Sequence, residues 1–174
     1  MQDKIELRVD LSDANRGLTQ LLHNATNTQP MMRGLATELE TMTDENFESE
    51  SWGGQQWADL KYPVAGQSKK LYRSGELKDS ITSKATNTTA IIGTNMIYAA
   101  IQHLGGKTSA HKITAKNKKA LAFGGIVRKS VNHPGSDIEA RGYLPINGDG
   151  ELQSGGEERL LDVVLVALEK GVQS

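Results

Sequence analysis

The chain has 174 residues, 37% of them hydrophobic and 5% aromatic, which suffices for one domain with a modest core. It has no cysteine, which excludes disulfides, thiolate metal sites and a cysteine nucleophile, and it has no apolar run of the roughly 18 residues that a membrane span needs. The formal net charge of −1 conceals a segregation: residues 1–60 carry 4 basic and 11 acidic side chains, residues 61–136 carry 13 and 2, and residues 137–174 carry 3 and 8. No Asp or Glu stands between Asp79 and Asp137, a pattern that bears on association and steering rather than on fold.

The start, Met1 to Ile5, lacks the basic-then-apolar plan of a signal peptide, so a cytoplasmic origin is expected. Ile5, Leu7 and Val9 alternate with Glu6 and Arg8 and predict a first strand. Ser12 or Asp13 is placed to cap a helix carrying Leu18, Leu21 and Leu22, broken by the polar stretch from Asn24 to Gln29. Pro30 suits the first turn of a second helix, along which Met31, Leu35, Leu39 and Met42 keep helical spacing, and the two helices are expected to pair as a hairpin. Residues 51–70, with Gly53-Gly54 between two tryptophans and then Pro63 and Gly66, read as a loop.

A short helix from Ser74 brings Leu77 and Ile81 together. A hairpin follows, with its turn near Asn87, and then a helix capped by Asn95 and ended by Gly105. The polar, basic stretch Lys107 to Lys119 is expected to be an exposed loop. Ala120 to Phe123, Gly124-Gly125 and Ile126-Val127 predict a tight hairpin, because paired glycines supply the positive φ angles of such turns. Gly148-Asp149-Gly150 opens a glycine-rich linker. The last helix, with Glu157 and Glu158 at its positive end, is apolar almost all round from Leu160 to Leu168 and is expected to be buried in the core or against another subunit. This order predicts an α+β fold: a mixed, mostly antiparallel sheet packed by an N-terminal helical hairpin and a C-terminal helix. It forms a single domain over residues 1–174 with an exposed basic loop at 107–119.

The four histidines, His23, His103, His111 and His133, include no pair at helical metal-ligand spacing, so no metal site is expected. Neither glycine cluster fits a dinucleotide or P-loop fingerprint, and Ser74 lacks the flanking glycines of a nucleophile elbow. No catalytic residue, enzymatic activity or cofactor is therefore expected. The basic centre does stand out: Lys107, Lys112, Lys116, Lys118, Lys119, Arg128 and Lys129 crowd together without compensating acids. Two partners fit such a segment, a nucleic acid held through its phosphates or an acidic protein surface such as residues 1–60 of a neighbouring copy. Aromatic residues do not interleave with the lysines, which disfavours base stacking on a single strand.

Leu71-Tyr72-Arg73-Ser74-Gly75-Glu76-Leu77-Lys78-Asp79-Ser80-Ile81 resembles the L-x-x-S/T-G-x-L-x-x-S-I stretch of the phage virion morphogenesis family, which includes tail-completion and neck proteins. Ile92-Gly93-Thr94 with Tyr98 to Gly106, His133-Pro134-Gly135 with Ala140 to Leu144, and the upstream Trp57 resemble further family motifs in the same order, over roughly residues 1–170. The chain departs from the family pattern at Gln102-His103, which inverts the usual order, at Gly142, where a proline is usual, and at Gly53-Gly54, where an Asp-Pro motif is usual. The resemblance implies a structural protein of the virion, a ring-forming component at the head–tail junction. By resemblance its ring is a hexamer. Its neighbours would be tail tube, terminator or head connector proteins, with contact to phage DNA and none to membrane. The alternative is a nucleic-acid-binding protein that uses the basic segment.

Overall fold

The computed structural model describes residues 11–61, 69–115, 119–123 and 125–172. The expected first strand at Ile5 to Val9, Pro63, Gly66, Gly124, and the site residues Lys116 and Lys118 lie outside them. Helix α1 (Ser12–Thr26) ends within the polar stretch expected to break it and is followed after Asn27 and Thr28 by α2 (Gln29–Ser49). Pro30 lies in the first turn of α2, and Glu50 closes the helix in the left-handed conformation at φ 53°. Ala36, Leu39, Met42, Thr43, Asn46 and Phe47 line the buried face of α2 at i, i+3, i+4 spacing.

Residues 51–70 are not wholly loop. Strands β1 (Ser51–Trp52) and β2 (Gln55–Gln56) form a minimal hairpin, because Gly53 and Gly54 both hold the positive φ that a two-residue turn requires. Helix α3 (Glu76–Asp79) follows, capped by Gly75 rather than Ser74. Strands β3 (Thr82–Ala85) and β4 (Ala90–Gly93) then form the expected hairpin, on which α2 packs. Helix α4 (Ala99–Leu104) ends at Gly105, φ 73°, as its glycine predicts.

The remaining strands are β5 (Gly106–Lys107), β6 (His111–Thr114), β7 (Leu121–Phe123), β8 (Ile126–Arg128), β9 (Ser130–His133) and β10 (Asp137–Ile138), followed by α5 (Gly156–Glu169). The fold is α+β, and every strand pair among the described residues is antiparallel, distributed over five two-stranded ladders rather than one sheet. Both N-terminal helices rest on α5. The Asn24 side chain donates to the carbonyls of Leu168 (2.8 Å) and Lys170 (2.9 Å), satisfying acceptors that the end of α5 leaves open and tying the last turn of α1 to it. The expected linker at Gly148 is a tight loop instead. Asn147 Oδ1 accepts the amides of Asp149 and Glu151, and the Ile146–Leu152 bridge closes it.

The core is built around Phe47, Trp57, Leu77, Ala99 and Tyr143. Segment 140–146 is threaded through it and tied from several elements. Trp57 Nε1 donates to the Gly142 carbonyl (2.8 Å) and Trp52 Nε1 to that of Leu144 (2.9 Å). Asn46 Nδ2 donates to the Tyr143 carbonyl (3.2 Å), and the Tyr143 hydroxyl donates to the Ala99 carbonyl (3.1 Å). The buried Arg141 guanidinium donates to the carbonyls of Ala58 (3.0 Å) and Asp59 (2.8 Å). A Cβ on Gly142 would stand 2.8 Å from the Trp52 ring, so glycine serves here for close approach, and the Cβ of a proline would meet the same ring.

His103 completes this anchor. Its Nδ1 accepts the Tyr143 amide (3.0 Å), which leaves Nε2–H to donate to the Ile146 carbonyl (2.8 Å). That arrangement requires the neutral ring, and burial lowers its pKa from the ordinary 6.5. The unfolded chain takes up a proton near pH 6.5 that the folded ring refuses, so stability is full above about pH 7 and declines as pH falls through about 6.5. Urea midpoints measured at pH 7.5 and 5.5 are expected to differ more for the wild type than for His103→Gln. Equal differences would show that His103 does not carry the effect.

Candidate assembly interface

The expected loop at 107–119 is corrected by the structure. Lys107 belongs to β5 and Lys112 to β6, and these strands pair with β10 and β9 near the far end of the same segment. The pairings are nested: Gly106 meets Ile138, His111 meets His133, Thr114 meets Ser130, and Leu121 meets Arg128. Together these ladders make one long hairpin arm from Gly106 to Ile138, whose innermost described pair is Phe123 with Ile126. Between Thr114 and Leu121 the outgoing strand carries extra residues, while the return strand has only Lys129 between Arg128 and Ser130. The alternation His111, Lys112, Ile113, Thr114 is a strand pattern, but its partner lies some twenty residues on, out of reach of a local reading.

Among the described residues of the arm none is buried. All of β6 and β8 is exposed, including Ile126 (47%) and Val127 (69%). Lys107 lies 3.5 Å from Asp137 Oδ1 across the base, with both side chains well exposed. Lys112, Lys119, Arg128 and Lys129 are exposed, and none forms an ion pair among the described residues. The structure thus brings five of the seven predicted cations onto one protruding arm. His111 and His133, far apart in sequence, stack across it with ring centroids 5.2 Å apart. Among the described residues no cluster of three or more His, Cys, Asp or Glu is arranged to hold a metal.

The C-terminal helix divides its apolar residues between two environments. Its inner face packs on α2, where Arg159 donates to Glu38 and Glu45; these partners raise the Arg159 pKa, and the hydrogen bond from Arg159 holds the Glu45 carboxyl below its usual range. Its outer face is open, with Leu161 53%, Leu165 52% and Val166 70% exposed. Leu11, Leu18 and Leu22 of the α1 segment are exposed as well. Of the apolar residues expected to be buried in the core or against another subunit, those toward α2 are covered within the chain, and Leu161, Leu165 and Val166 are left open.

A model of the phage virion morphogenesis family matches residues 9–169. The chain belongs to the phage virion morphogenesis family. Among curated proteins, the Mu-like prophage FluMu G protein 2 of Haemophilus influenzae is 35% identical over 104 residues, 59% of this chain and 72% of the relative. No solved structure matches the chain. Membership of the virion morphogenesis family makes this a protein of phage virion assembly. Among the described residues no helix is long and apolar enough to cross a membrane. The virion morphogenesis motifs at Leu71 to Ile81, Tyr98 to Gly106 and Ala140 to Leu144 build the anchored core, and the cationic arm emerges between the last two.

Proposed function

We propose that the protein is a ring-forming tail-completion or neck component at the head–tail junction of a tailed phage. The observation that carries this reading is the long arm, cationic and with no buried residue among those described, on a chain whose helices expose acidic and apolar surface. A subunit with two unlike, complementary surfaces associates head to tail, and such heterologous contacts close into rings. In this reading Lys107, Lys112, Lys116, Lys118, Lys119, Arg128 and Lys129 serve a subunit interface, with the DNA passage as a second use. The ring, a hexamer by resemblance, then meets tail tube, terminator or head connector proteins. The test is genetic. Deleting the gene is expected to leave filled heads and separate tails visible by electron microscopy, and mass spectrometry of wild-type particles is expected to find the protein. Normal particles from the deletion strain, together with absence of the protein from wild-type virions, would sink the proposal.

A further inference from the structure

We infer that the β8 side of the arm, Ile126 to Lys129, docks on the outward face of α5 in a second copy of the chain, a contact that rests on the ring reading and gives it a geometry. The two surfaces share one plan with opposite signs. Along α5, Glu157, Leu161, Leu165 and Glu169 follow at i, i+4 spacing, and Glu158, Asp162 and Val166 form the adjacent row. All seven are exposed, so an apolar strip runs between carboxylates. The one basic residue of this helix, Arg159, is taken up by Glu38 and Glu45. On the arm, exposed Val127 and the exposed Lys129 just past β8 follow at i, i+2 spacing toward one face, while exposed Ile126 and Arg128 share the other, so each face pairs an apolar residue with a cation.

An apolar centre within a charged rim is the anatomy of a protein interface, and the opposite rims fix which surface meets which. Both surfaces lie open in the same chain, so the contact is made between copies. An isolated two-stranded ribbon is at best marginally stable in water, and docking supplies the third layer that the arm lacks. DNA would match the arm's cations but would give no role to Ile126 and Val127, nor to the acid-rimmed strip on α5. Every copy then offers one arm and one receiving helix, and the association runs in a single direction around the ring.

Charge exchange in the full chain tests this. An arm variant carries Arg128→Glu and Lys129→Glu, and a helix variant carries Glu158→Lys and Asp162→Lys. All four positions are exposed, and circular dichroism checks that each variant folds. By sedimentation velocity at low salt the wild type is expected to assemble, and each variant alone to associate at least tenfold more weakly. An equimolar mixture of the two is expected to regain assembly, because the acidic arm then meets the basic helix and the basic arm meets the acidic one. Since the chain has no native cysteine, Val127→Cys on one copy and Leu165→Cys on another should also crosslink selectively. Assembly of both variants at wild-type strength, or a mixture that stays apart, overturns arm docking and leaves the ring itself standing. A wild type monomeric at millimolar concentration with no crosslink overturns docking too, while the contents of the particle still decide the ring. Loss of DNA retention by the arm variant with assembly intact overturns it in favour of nucleic acid.

Discussion

Replacing Tyr143 by alanine is expected to lower stability by about 3–5 kcal/mol, the usual cost of emptying a buried aromatic site. Tyr143 is 1% exposed, and its ring lies 5.3 Å from that of Phe47 and 4.9 Å from that of His103, centroid to centroid. Burial pushes its hydroxyl pKa up to about 12, so across the physiological range it remains a donor to the Ala99 carbonyl. The substitution removes ring, hydrogen bond and the packing that holds His103 against the 143–146 backbone. Tyr143→Phe keeps the ring and is expected to lose only about 1 kcal/mol, from the unpaired carbonyl. Urea denaturation followed by tryptophan fluorescence measures both, since Trp57 sits in the same cluster. A Tyr143→Ala loss below about 1 kcal/mol would mean that this segment is not the anchor.

The second large effect is expected at Gly135, and it is local. Gly135 has φ +93°, and an added methyl would run into the Thr108 carbonyl oxygen. Beside it, Thr108 N–H donates to the Ser136 carbonyl (2.9 Å) and Ser136 N–H donates to Thr108 Oγ1 (2.8 Å), the bonds that fasten the base of the arm. Gly135→Ala is expected to cost about 2–3 kcal/mol of local stability. Hydrogen exchange should show lost protection at Thr108 and Ser136 with the core amides unchanged. Because no arm residue belongs to the core cluster, the global urea midpoint should hardly move. A falling global midpoint with arm protection retained would refute this division.

Much of the fold is written locally. The α2 periodicity, the Asn87 hairpin, the pairing of β7 with β8 and the Gly105 helix end can all be read within a few residues, and each is found. What could not be read depends on partners distant in sequence. The arm's outer ladders join residues more than fifteen apart in a polar stretch whose composition resembles a loop. The α1 end depends on α5 carbonyls some 145 positions away. Of the candidate site, the cations were legible as a charge cluster, and the strand pairing that displays them was not. For the opposite face, the apolar residues around α5 signalled burial in the core or against another subunit, and composition alone did not say which residues one chain would leave open: Leu161, Leu165 and Val166.

The separation between an anchored core and an unsupported arm sorts the consequences of mutation into two kinds. Lesions at the tryptophan, tyrosine and arginine ties act on abundance. They should yield temperature-sensitive phage, rescued by growth in the cold or by overexpression. Lesions on the arm leave a soluble, normally accumulating protein that fails at every temperature, and raising its dose does not restore plaques. A collection of phage mutants in this gene, scored only for those two responses, would therefore draw the boundary of the arm without any structure at all.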